Sequence, residues 1–355
     1  MRVIAYYLPQ YHTIPENDAW WGKGFTEWTA VRNARPLFNG HQQPVEPGEL
    51  GYYNLLDADI RERQAALARE AGIEGFCYWH YWFSGKQLLE KPLQEVLKNG
   101  KPDFPFCIGW ANESWKAKTW LDQQKAPDRM LIEQTYSPED DKAHFASILP
   151  MLRDKRYIQV DGKPLLMVYR PFDLPDGKAW TARWQQMAKD AGLKGLYLVG
   201  HTLYTHETTE VLKLGFDAVN IVALGDVKRS IKLSLRYLPT MVKYLCGRSP
   251  LIYDYRRAIR LFHRSIMNCE AVVPTLLPNW DHSPRSDKHA FIMQNSTPQA
   301  FKEHVKVIKT IVDKKQNQLV MLKSWNEWGE GNYIEPDARW NRSYLNVLRE
   351  VINEK

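Results

Sequence analysis

Eight short apolar runs alternate with amphipathic stretches along the 355 residues, and this order restricts the fold more than any other feature. The runs are 3–8, 74–83, 104–113, 163–170, 196–201, 216–222, 271–281 and 319–328. Each is short, apolar and bounded by turn residues, as expected of a buried strand. Between them lie helical patterns at 57–72, near 87–98, at 137–154, near 177–191, near 206–213, at 297–314 and at 340–352. Asp57 and the Ser137-Pro138 pair are helix starts, and Gly72 and Gly192 are stops. Parallel strands need crossover connections, so strict alternation argues for a parallel sheet. Eight such units with no linker predict a (β/α)8 TIM-type barrel in one domain, residues 1–355. No glycine-rich phosphate loop follows the first strand, which argues against a dinucleotide-binding sheet.

In a barrel, the site is built from the C-terminal strand ends and the loops after them. Polar and aromatic residues collect at those ends: Gln10-Tyr11-His12, His80-Tyr81-Trp82, Trp110 with Asn112-Glu113, Tyr169-Arg170, His201, Asn279-Trp280-Asp281 and Trp325-Asn326-Glu327-Trp328. On a barrel they converge on one cup. The chain also carries 14 Trp, 18 Tyr and 12 Phe. Trp and Tyr join a flat apolar face to a polar handle, which suits a cleft for sugars, bases or peptides. Trp28, Trp79, Trp82, Trp110, Trp115, Trp280, Trp325 and Trp328 fall at or beside predicted strand ends and are read as the lining of such a cleft.

The densest chemistry lies in SWNEWGEGNYIEPD (324–337), with Glu327, Glu330 and Glu335 beside Trp325 and Trp328. Gly329 and Gly331 let the backbone turn tightly there. Clustered carboxylates against aromatic walls push their pKa values apart, as acid/base work on an acetal requires. A solvated acidic loop is the plain alternative. Glu113 is a second carboxylate: it is a catalytic partner, a sugar anchor, or a pair for Lys116 or Lys118. Trp280, Asp281 and Arg285 form a third cluster, suited to stacking on a ring and bonding hydroxyls, or to a loop staple. His12, His80, His201 and His282 show no metal-ligand spacing, so hydrogen-bonding roles and no metal are expected. Asp57-Ala58-Asp59 resembles a nucleotide-sugar Asp-x-Asp motif, but it opens a predicted helix and is read as a cap. There is no G-x-S-x-G elbow and no P-loop, and no cofactor is expected.

Cys77 and Cys107 sit in apolar runs and read as buried hydrophobes. No signal peptide and no run of 18 apolar residues is visible, so a cytoplasmic protein is expected. The net charge of +7 is concentrated: residues 224–264 hold ten Lys/Arg and two acids. This stretch is expected as a basic insertion between strands six and seven. Val227, Ile231, Leu235, Leu238, Val242 and Leu245 recur at helical steps, with Pro239 breaking the pattern. Such a segment suits either a helical pair packed on the barrel rim or contact with an anionic membrane surface. Nucleic acid is not expected, because no binding module is recognisable.

Taken together, AYYLPQYH, WWGKGFTEWTAV, GFCYWHYWFSGKQLLEKPL, FPFCIGWANESW and SWNEWGEGNYIEPD resemble the WbsX family, labelled a glycosyltransferase family of polysaccharide biosynthesis. That family is related to glycoside hydrolase family 99, the retaining endo-α-mannosidases. The resemblance implies a barrel acting on an α-linked glycan in cell-surface polysaccharide (O-antigen, capsule or lipopolysaccharide) metabolism. The substrate would be an oligosaccharide or a lipid-linked glycan, and the location cytoplasmic or at the inner face of the membrane. It implies that Glu327 activates the substrate's own 2-hydroxyl and that Glu330 protonates the leaving oxygen. Glu113 then becomes a substrate contact, alongside the strand-end residues above. Alternatives are a nucleotide-sugar-dependent transferase and a glycan-binding barrel without catalysis.

Overall fold

The computed structural model describes residues 1–116, 129–232 and 237–354. Nine parallel strands form a nearly closed α/β barrel: β1 (Arg2–Tyr7), β2 (Ile73–Phe83), β3 (Phe106–Trp110), β4 (Lys163–Val168), β5 (Tyr197–Thr202), β6 (Ala218–Ile221), β7 (Val272–Val273), β8 (Thr275–Leu276) and β9 (Leu319–Leu322). All eight apolar runs contain barrel strands. The seventh run supplies two, because Pro274 interrupts it; proline has no N–H for the ladder. On one side of it Val272 pairs with Val219 of β6, and on the other Thr275 pairs with Met321 of β9. β1 sits between β9 and β2, so the first and last strands are neighbours.

The strands read as continuous apolar runs because both faces are covered. Residues 3–7 of β1 and all of β9 are buried. The barrel is filled rather than hollow. Tyr6 stacks on Trp79 at 4.7 Å, and its hydroxyl donates to Asn220 Oδ1 on β6 at 2.8 Å. Asn220 in turn donates to Thr275 Oγ1 and the Val273 carbonyl, satisfying a buried amide that would otherwise be costly.

The helices follow their capping signals. Asp57, Ser137 and Thr297 accept bonds from the first-turn amides of Ala58–Glu70, Pro138–Leu152 and Pro298–Val312. Asp57 is therefore a helix cap in the structure. Two helices had no clear pattern in the sequence, Pro15–Trp21 and Glu27–Asn33; both lie in the long loop after β1.

Residues 224–264 follow β6 and precede β7. The described residues there hold helix Leu224–Lys232 and helix Leu238–Leu245, the latter with Pro239 in its first turn. The apolar stripe divides accordingly: Val227 and Ile231 are buried, whereas Leu238, Val242 and Leu245 are exposed. Leu235 and Arg236 lie outside the described residues. Strand Leu251–Asp254 then pairs in parallel with Phe291–Gln294. Cys77 and Cys107 are buried and free. No helix among the described residues is long and apolar enough to cross a membrane.

Candidate active site

A cavity of about 650 Å³ opens beyond the C-terminal ends of the strands. Its floor is the loop after β9, which polar side chains pin to the segment that follows β1. Asn326 accepts from the Leu8 amide at 2.7 Å and donates to the Leu8 carbonyl at 3.0 Å. Tyr11 donates from its hydroxyl to the Asn326 carbonyl at 2.5 Å, and Ser324 Oγ accepts from the Glu327 amide at 2.8 Å. Residues Trp328–Glu330 make one short 3-10 turn, with Glu327 just before it. Both Glu327 and Glu330 line the cavity.

Arg285 joins three carboxylates. Its Nη2 donates to Glu327 Oε1 at 2.5 Å, its Nε to Glu27 Oε1 at 2.6 Å, and Nη1 lies 3.0 Å from Glu330 Oε1. Lys323 Nζ and His282 Nε2 each stand 3.6 Å from Glu330, and Asn332 donates to it at 3.1 Å. Burial raises the proton affinity of Glu327; Arg285 opposes this, and Glu330 adds to it. Burial alone would lower the Arg285 pKa, but Glu27, Glu327 and Glu330 outweigh it, so the guanidinium stays charged.

Gly329 makes this clamp possible. A Cβ at that position would stand 1.8 Å from Glu27 Oε1 and 2.8 Å from Arg285 Nε. Glycine lets the turn carry two glutamates while a third carboxylate and its arginine press against the backbone; a Cβ there would force Glu27 or Arg285 to shift. Gly331 closes the turn with φ +62°, and there a Cβ would meet the Asp281 backbone at 2.9 Å.

Of the residues expected at the site, Gln10, Tyr81, Glu113, Tyr169, Arg285, Glu327 and Glu330 line the cavity. Lys116, weighed as a partner of Glu113, lines it too; Lys118 lies outside the described residues. Burial holds the Tyr81 and Tyr169 phenols protonated, and nearby glutamates add to this.

Other expected residues stand behind the wall. Glu335 is buried and accepts from Trp328 Nε1 at 2.7 Å, the Tyr53 hydroxyl at 2.8 Å and Gln64 at 2.7 Å. Burial lifts its pKa to about 7, with those three donors pulling the other way. Asp281 is held by His41 at 2.8 Å and Gln43 at 2.7 Å. Burial would raise its pKa, but these bonds lower it. Arg285 therefore pairs with the glutamates rather than with Asp281, and Asp281 anchors a loop. Trp280 stacks with His282, and Lys323 lies over its ring.

Trp28 packs on Tyr11, Tyr53 and Trp328. Trp328 stacks on Tyr333 at 3.7 Å, and Trp325 is fully buried against Phe76. His80 bonds His144 at 2.9 Å, and His144 stacks on Trp82 and meets the edge of Trp110. Burial pulls His80 down to about 4, so this pair is neutral. Asn112 ties both backbone groups of Arg170. His12 holds the Pro9 carbonyl, and His201 packs on Tyr6 and Tyr169. The tryptophan excess is thus mostly structural. Of the eight tryptophans read as lining, only Trp79 and Trp115 reach the cavity; Trp21, outside that group, reaches it too.

Sequence reasoning missed Glu27. It lies on a helix rather than at a strand end, where the barrel rule does not look. One signal was present: Glu27-Trp28 repeats the Glu327-Trp328 dipeptide. Asn17 was also missed; it lines the cavity with both side-chain polar atoms buried and unpartnered. Among the described residues no group of three His, Cys, Asp or Glu is arranged to hold a metal.

Fold and cavity define a parallel α/β barrel with a carboxylate cluster in a cup at the C-terminal face. The profile of the family described as Glycosyltransferase WbsX matches residues 3–348, and the chain belongs to that family. It is 35% identical to the uncharacterized protein WxcX of two strains of Xanthomonas campestris pv. campestris, over 99% of this chain and 49% of theirs. The chain thus spans about half the length of these relatives. In structure it is similar to the GH99 endo-α-mannosidase of Bacteroides thetaiotaomicron, with a TM-score of 0.58 and 14% identity over 99% of this chain and 96% of that one. A glycoside hydrolase-like protein gives a TM-score of 0.61 at 16% identity, over 100% and 94%.

Proposed function

We propose that this protein acts on an α-linked glycan, cleaving or transferring a glycosyl unit through Glu327 and Glu330. Membership of the WbsX family and the GH99-like barrel support a carbohydrate-active enzyme of glycosidase or glycosyltransferase type. The observation that carries the reading furthest is the Arg285 clamp: two glutamates three residues apart, both facing one cavity and both tied to one buried cation.

In this reading Glu327, whose proton affinity burial raises, takes the proton of the substrate's 2-hydroxyl as that oxygen attacks the anomeric carbon. Glu330 gives its proton to the departing glycosidic oxygen, leaving a 1,2-anhydro sugar. It then takes a proton from the incoming water or sugar hydroxyl, whose oxygen displaces the 2-oxygen from the anomeric carbon while Glu327 returns its proton to that 2-oxygen. The result is retention of configuration through two inversions. Neither carboxylate attacks the sugar itself, so the pair need not flank the ring. Arg285 holds both glutamates in place and steadies their charge as protons move. Tyr81, Tyr169, Trp79 and Trp115 supply hydroxyls and ring faces for the sugar. The cell-surface polysaccharide setting belongs to this proposal.

The test is incubation with a panel of α-linked oligosaccharides, mannose-containing ones first, with anomeric signals followed by NMR. Retained product, lost in Glu327→Gln and Glu330→Gln and absent with a 2-deoxy substrate, is expected. Wild-type turnover in either variant refutes the assignment.

The family's description favours a second reading, a nucleotide-sugar-dependent transferase. Arg285, Lys323 and Lys116 give the cavity cations for a diphosphate. A calorimetric screen of UDP-, GDP- and dTDP-sugars without heat rejects it.

A further inference from the structure

Helix Leu238–Leu245 has two apolar stripes where a surface helix needs one. Tyr237, just before it, and Met241 and Tyr244 within it form one stripe, packed against the core. Leu238, Val242 and Leu245 form the other at the same helical steps, and they are 55%, 50% and 74% exposed. A helix docked on a globular body is stable with its inward stripe alone and polar residues elsewhere. The second stripe therefore adds nothing to the packing seen, and three large aliphatic side chains on one exposed face mark a contact surface.

The charge along this segment is one-sided. From residue 227 to 253 the sequence holds no Asp or Glu. Arg229, Lys243 and Arg248 are exposed, as is Lys288 on the neighbouring loop. Apolar residues on one face with cations beside them suit an anionic lipid surface, where aliphatic side chains enter the headgroup boundary and cations meet phosphates. A protein partner would need a matching apolar patch framed by acids; a lipid leaflet supplies both features at once.

The helix also lies beside the cavity. The Tyr244 hydroxyl donates to the His289 carbonyl at 3.4 Å, and His289 and Ser286 line the cavity wall. We propose that helix Leu238–Leu245 seats the protein on an anionic membrane, with Leu238, Val242 and Leu245 inserted and Lys243 and Arg248 on lipid phosphates. Seated so, the cavity mouth lies near the surface, within reach of a glycan carried on a lipid; that clause alone rests on the catalytic reading above.

The test is co-sedimentation with phosphatidylcholine vesicles, with and without phosphatidylglycerol, at low and raised salt. Binding to the anionic vesicles, weakened by salt, is expected. Val242→Asp with Leu245→Asp lowers partitioning at least about tenfold, and each of Lys243→Glu and Arg248→Glu lowers it about fivefold. Melting temperatures stay unchanged, because the altered side chains are exposed. No binding to anionic vesicles, or equal partitioning of all variants, overturns the proposal. A dimer in light scattering that these variants dissociate, without vesicle binding, overturns it in favour of a second copy on this face. Vesicle binding reads no chemistry, so its failure leaves the catalytic reading standing, and loss of turnover in Glu327→Gln leaves this one standing.

Discussion

Glu327 and Glu335 lie on one loop, eight positions apart, and both are buried with proton affinities raised first by burial. Their surroundings differ. Glu327 faces the cavity and a guanidinium 2.5 Å away, with Glu330 and Glu27 on the same cation. Glu335 faces Trp328, Tyr53 and Gln64, three neutral donors, and is not among the residues that line that cavity. Burial and a shifted pKa are therefore common to both and do not tell the two apart. Access to the cavity and a charged partner shared with other carboxylates do, and on the proposed function these mark the reactive group.

The largest effect that can break this contrast is loss of turnover. Removing the carboxylate proton transfer in Glu327→Gln lowers kcat by roughly 10²–10⁴-fold, with the fold intact by circular dichroism. If Glu335→Gln lowers it equally while remaining folded, the contrast fails.

The next effect is on stability and concerns Glu335. Its pKa rises from an ordinary 4.5 to about 7 on folding, so the folded state binds the proton more tightly. The stability this contributes is fully present below pH 4.5 and is lost as pH rises through 7. A shift of that size corresponds to about 3 kcal/mol. In urea titrations across that range, the stability of wild type relative to Glu335→Gln falls by about that amount as pH rises. A constant gap would mean that Glu335 is ionised throughout, held so by its three donors.

Gly329→Ala probes the clamp from the backbone. The added methyl displaces Glu27 or Arg285, and a shift of about 1 Å in the catalytic groups costs roughly 100-fold in kcat. An unchanged rate would show that the clamp is not needed. The smallest effect is at the wall: Trp115→Ala removes a ring face, worth about 0.5–1.5 kcal/mol, and raises KM about two- to tenfold with kcat little changed.

The barrel was readable because its signal is local and repeated: eight apolar runs, helix caps at Asp57 and Ser137, and no linker. The glutamate pair was readable because its chemistry is packed into one turn. The wall was less readable. Trp28, Trp82, Trp110, Trp280, Trp325 and Trp328 carry the residue types of a sugar platform, but all six have 7% of their surface or less exposed and the pattern of strand ends cannot tell a side chain's direction from its position. His80 and Asn112 look like ligands in sequence; in space each is satisfied by a neighbour, His144 or Arg170.

Sequence alone determined the alternation of strands and helices and the turn that brings Glu327 and Glu330 close, because these depend on neighbours in the chain. Tertiary structure decided the rest. Glu27 is 300 residues from Glu327, yet Arg285 joins them, since closing the barrel brings the loops after its first and last strands together. Tertiary packing likewise divided one apolar stripe into a buried half at Val227 and Ile231 and an exposed half at Leu238, Val242 and Leu245. Helical spacing specifies a face; only the neighbouring elements decide whether anything covers it.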